Sequence, residues 1–170
     1  MNPHLTAPPP PAQPLVHIIY YEPRIAGNTG AAIRLAAATG ARLHLIEPLG
    51  FDMSDDAKLR RAGLDYHDLA VVSIHKDLAA CVAALPNTRI YAFEVQATKF
   101  YTDIKYQAGD ALLFGPEPTG IPPEVLQDPR ITDRVRIPML PGRRSLNLTN
   151  AASIAVYEAW RQIGFPRSHF

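Results

Sequence analysis

VHIIYYEPRIAGNTGAAIRLAAATGARLHLI, residues 16–46, decides the fold class. Val16 to Tyr21 is short, β-branched and aromatic, which marks a strand buried on both faces. Pro23 stops it, because proline cannot donate to a ladder. Asn28-Thr29-Gly30 then opens an alanine-rich helix carrying Ile33, Leu35 and Ala36, and Gly40 closes it. Arg42 to Ile46 is a second strand. Strand, helix and strand in this order form the repeating unit of a parallel α/β sheet.

The pattern continues downstream. Ser54 is placed to cap a helix through Leu59 that ends near Gly63, with Asp55 and Asp56 at its positive end. Ala70–Ile74 reads as a third strand, and Asp77 caps a helix that ends before Pro86. Arg89–Glu94 and Ala111–Phe114 read as the fourth and fifth strands. Pro122–Leu126 is a short helix with proline in its first turn, and Arg134–Ile137 is a sixth strand. A last helix spans Leu148 to Ile163, with Leu148, Ala151, Ala152, Ala155 and Trp160 at helical spacing. The expectation is one α/β domain over residues 15–165. It is preceded by a proline-rich tail (1–14) holding six of the 17 prolines and followed by a short C-terminal tail (166–170).

Composition narrows the function. At 170 residues with 47% hydrophobic and 19% charged residues, the chain can bury a core and is not globally disordered. Its net charge of +1 excludes a strongly basic nucleic-acid coat but not a local basic patch. Cys81, the one cysteine, can form no intrachain disulfide and cannot by itself build a zinc site. The six histidines show no metal spacing; His17 and His44 read as packing or hydrogen-bonding groups and Cys81 as core. No apolar run has the roughly 18 residues of a membrane span, and no secretory signal opens the chain. The expectation is a cytoplasmic protein without membrane or metal partners.

In open parallel sheets ligands bind beyond the carboxyl ends of the strands. Three loops there carry chemistry-bearing residues. In 28–34, Asn28 can cap the helix, Gly30 permits close backbone approach, and Arg34 lies about one turn inside. In 114–122, Gly115, Pro116, Glu117, Pro118, Thr119 and Gly120 make a stiff, open loop suited to a flat ligand read by backbone groups. In 143–150, Ser145, Asn147 and Thr149 stand at a helix N-terminus. Each alone has an ordinary structural reading as a capped helix, a tight turn or an N-cap box. The chain contains no Walker loop, Gly-x-Gly-x-x-Gly fingerprint, Gly-x-Ser-x-Gly elbow or His-Glu-x-x-His.

Taken together and in this order, the three loops resemble the SPOUT class of RNA methyltransferases. Within that class the chain looks like the small, single-domain tRNA (cytidine(34)-2′-O)-methyltransferases. Thr39–Phe51, Leu59–His67 and Tyr157–Gln162 extend the likeness. The resemblance implies a mostly parallel sheet flanked by helices with a C-terminal trefoil knot, which the general rule against threaded chains does not lead one to expect. It implies S-adenosylmethionine held by Phe93, Gly115, Gly120, Ile137, Ser145 and Leu146. Arg34 matches the family's catalytic arginine, acting across a homodimer interface, and Asn28, Glu117 and Asn147 match the remaining polar positions, with Asn28 and Glu117 counted with the catalytic set. Arg24, Arg60, Arg61, Arg143 and Arg144 are candidates to grip the backbone of a tRNA anticodon loop, whose single-stranded bases can be splayed out. Arginine side chains stay protonated in proteins, so Arg34 is expected to stabilise a developing 2′-oxyanion rather than take its proton.

Two departures from the family pattern touch the substrate. Glu94-Val95-Gln96-Ala97 stands where relatives usually carry Thr-Thr-Lys-Gly, and Pro118-Thr119 where an arginine often precedes the second glycine. Both remove positive charge from the RNA path. They leave a non-catalytic RNA-binding module, or methylation of a different RNA, as alternatives. A nucleotide-dependent oxidoreductase is disfavoured by the missing glycine fingerprint.

Overall fold

The computed structural model describes residues 12–54 and 71–168. The strands are β1 (His17–Tyr21), β2 (Arg42–Ile46), β3 (Val72–His75), β4 (Ile90–Phe93), β5 (Ala111–Phe114) and β6 (Asp133–Val135). The helices are α1 (Ala26–Thr39), α2 (Leu78–Ala83), α3 (Pro123–Leu126) and α4 (Leu148–Ile163), with a 3₁₀ turn at Tyr101–Asp103. The helix expected after Ser54, together with Arg60 and Arg61, lies outside the described residues.

All six strands pair in parallel, in the order β3-β2-β1-β5-β4-β6. Every strand therefore ends at the same edge. The order is not sequential: β5 inserts between β1 and β4, and β6 then returns to the far side of β4.

Two cores follow from the two-residue strand repeat. Ile18, Tyr20, Leu43, Leu45, Tyr91, Phe93, Leu112 and Phe114 face α1 and α4. Ile19, Ile46, Ile90, Ala92 and Leu113 face α2 and α3. The small residues Ala32, Ala36, Ala152, Ala155 and Ala159 are fully buried, which lets α1 and α4 approach the sheet and each other closely.

Helix ends match the sequence reading in part. Gly40 adopts φ 77° and ends α1, Asp77 accepts from Ala80 N–H to cap α2, and Gly164 at φ 90° ends α4. One expectation is corrected. Asn28 does not cap α1: the helix begins at Ala26 behind Ile25, which makes no side-chain cap. The Asn28 amide is drawn away by partners on two other loops.

On the α2 side three histidines form a row. His17 Nδ1 lies 2.8 Å from His44 Nε2, and His44 Nδ1 lies 2.9 Å from His75 Nε2. Burial, followed by the nearby Arg42 charge, pushes His17 down to about 4. Burial, then the neighbouring imidazoles and Arg42, pushes His44 to about 3. The row is neutral at pH 7.

Candidate functional site: a clamp at the carboxyl edge of the sheet

Three loops meet at this edge through one carboxylate and two amides. Glu117, after β5, accepts from Asn28 Nδ2 at 2.8 Å and from the Arg24 backbone N–H at 2.9 Å. Asn28 in turn accepts from Asn147 Nδ2 at 2.8 Å through its own Oδ1. Asn147 Oδ1 accepts from the N–H groups of Thr149 and Asn150, at 3.0 and 3.2 Å, and so caps α4. These residues are 89 and 119 positions apart in pairs. The return of β5 beside β1 brings Glu117 to Asn28, and the packing of α4 on α1 brings Asn147 to it.

Tyr20 and Thr149 complete the clamp from below. The Thr149 hydroxyl donates to the Asn28 carbonyl at 2.6 Å and lies 2.9 Å from the Tyr20 hydroxyl. Burial pushes the Tyr20 phenol well above its ordinary value, against the opposing effect of the Thr149 bond. Sequence reasoning missed Tyr20. Its signal was a phenol hydroxyl within a strand read as buried, which needs a partner once buried.

The 115–121 loop closes on itself. Gly120 N–H donates to the Pro116 carbonyl at 2.9 Å, and Gly120 adopts φ 75°. A Cβ on Gly115 would stand 2.1 Å from Ile121 N and 2.2 Å from the Gly120 carbonyl carbon. Only glycine fits there. The loop leaves Pro118, Thr119 and Gly120 exposed, and a second segment, residues 137–147 after β6, runs without helix or strand. That second segment presents Leu140 and Leu146 to solvent at 73% and 41% exposure.

The other sequence candidates divide. Ser145 and Leu146 directly precede Asn147, and Arg143 and Arg144 are exposed just before them. Ile137 is half-buried against the α4-side core. Phe93 is stacked on Phe114 with ring centroids 4.7 Å apart and is 9% exposed, so its side chain belongs to the core and only its main chain faces the edge. Glu94 turns its carboxylate onto the Gln96 N–H at 2.9 Å and stiffens the altered 94–97 turn. Arg34 is not at the clamp. Since α1 starts at Ala26, Arg34 lies more than two turns inside, not one, and leaves a different face from Asn28. It is exposed, and among the described residues it makes no hydrogen bond or ion pair.

A parallel sheet of this order, with three loops tied at its carboxyl edge, defines a methyltransferase of the SpoU type: the chain belongs to the SpoU rRNA Methylase family, whose model matches residues 15–157. Among its relatives, the tRNA (cytidine(34)-2′-O)-methyltransferase of Escherichia coli (strain K12) is 49% identical over 152 residues, covering 89% of this chain and 96% of that one. A solved structure reported as "Structural insights into the 2-OH methylation of C/U34 on tRNA" superposes with a TM-score of 0.80 at 44% identity, over 87% of this chain and 95% of the other. An AdoMet-bound rRNA methyltransferase from Sinorhizobium meliloti superposes at 0.75 with 25% identity, over 90% of this chain and 58% of that one.

Proposed function

We propose that this protein transfers a methyl group from S-adenosylmethionine to the ribose 2′-hydroxyl of the wobble nucleotide, cytidine or modified uridine 34, of tRNA. The observation that carries the reading is the Asn28–Glu117–Asn147 clamp, which fixes three loops at the edge where parallel sheets bind ligands. The activity of relatives matched over nearly their whole length supports the same reading.

The residues present fit the cofactor. A flat adenine needs main-chain groups to read its edge and apolar surface for its faces. The glycine ring at 115–121 and the exposed stretch with Leu140 and Leu146 offer both. On this reading the main chain at Phe93, the Gly115–Gly120 loop, and Ile137, Ser145 and Leu146 hold the cofactor, within the trefoil knot that the family likeness implies. When bound, it supplies an electrophilic methyl carbon on a sulfonium.

Asn28, Glu117 and Asn147 are bonded to one another and to the main chain of Arg24, Thr149 and Asn150. Their role is to hold the loops in register, so that the nucleophile and methyl carbon meet in line. Such positioning lowers barriers by roughly 7–11 kcal/mol in favourable cases. Arg34, exposed and unpaired among the described residues, is free to act on a second copy of the chain. There its guanidinium grips a phosphate and stabilises the charge growing on the 2′-oxygen, while another group or water takes the proton. Ile25, Ile154 and Tyr157, exposed on and beside α1 and α4, offer the apolar surface for that homodimer. Arg24, Arg143 and Arg144 reach the same edge and would meet the RNA backbone, joined by Arg60 and Arg61. On this reading the protein works with tRNA in the cytoplasm; among the described residues no helix is long and apolar enough to cross a membrane.

Labelled S-adenosylmethionine incubated with unmodified tRNA, followed by nuclease digestion, tests the proposal. Label in the 2′-O-methylated nucleoside at position 34 is the expected result. Tight tRNA binding with no label would leave a binding module, and label elsewhere would reassign the substrate.

A further inference from the structure

The histidine row ends at a thiol. One ring nitrogen each of His44 and His75 and the sulfur of Cys81 lie within 4.8 Å of one another. They come from β2, β3 and α2, so no sequence spacing announces them. We propose that His44, His75 and Cys81 form a binding site for one zinc-class divalent cation, on the opposite face of the sheet from α1 and α4 and separate from the methyl-transfer clamp.

The donor set is right for that ion. Two imidazoles and a thiolate leave the fourth tetrahedral position to water, which can enter beside the half-exposed His75. With Zn–N near 2.0–2.1 Å and Zn–S near 2.3 Å, the two nitrogens would stand roughly 3.3 Å apart and each roughly 3.5 Å from sulfur. His44 Nδ1 and His75 Nε2 already face each other at 2.9 Å. The rings need only part by a few tenths of an ångström, while the sulfur, within 4.8 Å of the nitrogens, closes by up to about 1.3 Å.

The proton count is also consistent. His17 Nδ1 and His44 Nε2 lie 2.8 Å apart, and the His44 tautomer that suits a ligand is the one in which Nε2–H donates to His17 and Nδ1 is left as a lone pair. His17 then plays the outer partner that fixes a ligating histidine's tautomer. His75 Nε2–H then donates across the 2.9 Å contact to His44 Nδ1, and on cation binding His75 releases that proton to solvent and takes one at Nδ1, so that Nε2 becomes a ligand. Burial pushes the Cys81 thiol up to about 12, so it keeps its proton until the cation arrives. As the sulfur–metal bond forms, the S–H bond breaks and that proton leaves to solvent. The bound ion would tie β3, one of the two edge strands, to β2 and α2.

The test uses the full chain, stripped with chelator and dialysed, and titrated with Co²⁺ and with Zn²⁺. Cys81 is the sole cysteine, so a thiolate-to-cobalt charge-transfer band can only report this site. The expected result is one equivalent of Co²⁺ with that band, displaced by Zn²⁺, and a melting temperature that rises with Zn²⁺. Cys81→Ala should abolish the band. His75→Gln, at the half-exposed end of the outer strand, keeps the fold and should weaken both ions about tenfold or more. Cobalt bound without a thiolate band, binding unchanged in His75→Gln, or no binding at all would each overturn the proposal.

Discussion

Replacing Gly115 by alanine isolates the steric demand of the 115–121 loop. Gly115 is not among the positive-φ residues, so alanine meets no backbone penalty there. What it meets is backbone: the new methyl would lie 2.1 Å from Ile121 N and 2.2 Å from the Gly120 carbonyl carbon. Reaching an ordinary contact near 3.4 Å requires the two arms of the loop to part by more than 1 Å. Neither arm is the free end of a side chain, so the cost sits at the upper end of overpacking, about 3 kcal/mol. For a chain of this size that lowers the melting temperature by roughly 6–12 °C. Gly120→Ala is the control. Gly120 has φ 75° and nothing within 4 Å of its Cβ direction, so it bears only the left-handed penalty. That is about 1 kcal/mol, or roughly 2–4 °C. Differential scanning calorimetry of both variants, with S-adenosylmethionine binding by titration calorimetry, gives the comparison. If Gly115→Ala melts no lower than Gly120→Ala, the argument that glycine is required there by contact is wrong.

Arg34→Ala should abolish methyl transfer, leave cofactor affinity nearly intact, and change stability by less than about 0.5 kcal/mol, since the side chain is exposed; a collapse of cofactor binding would refute its placement on the RNA side. Thr149→Val removes the bonds to both the Asn28 carbonyl and Tyr20, and should cost about 2–3 kcal/mol in urea unfolding, whereas Tyr20→Phe, which leaves the bond to the Asn28 carbonyl in place, should cost about 1. Asn28→Asp sets a second carboxylate against Glu117 across a 2.8 Å contact, so its loss of stability should be large at pH 7 and shrink as acid protonates the pair; a loss independent of pH would contradict this. Asp128 is held at about 2, chiefly by its bonds to Arg130. A carboxylate depressed on folding stabilises above its ordinary value and loses that contribution as pH falls through about 2. Arg130→Ala should therefore cost under about 1 kcal/mol at pH 5, because the arginine is well exposed, and nothing below pH 2.

Much of the fold was legible because its signals are local. Val16 to Tyr21 and Ala111 to Phe114 need no distant partner to read as buried strands. Asn147 caps α4 from two and three residues away, and the bounds Leu148–Ile163 were read correctly for that reason. Asn28 shows where local reading fails. Its type and position suit a helix cap, but its amide is claimed by Glu117 and Asn147, and the helix starts two residues earlier. No pattern within one turn records that competition.

By itself the sequence determined the strand–helix alternation, the glycines at the helix ends, and the residue types available to the carboxyl-edge loops. These follow from backbone sterics and two short periodicities. Only the tertiary structure decided that β5 returns between β1 and β4, that Glu117 ties Asn28 to the loop before α4, and that His44, His75 and Cys81 converge from three elements. Each depends on strand register between segments tens of residues apart. That register is set by the simultaneous burial of both sheet faces, a property of the whole chain that no short window contains.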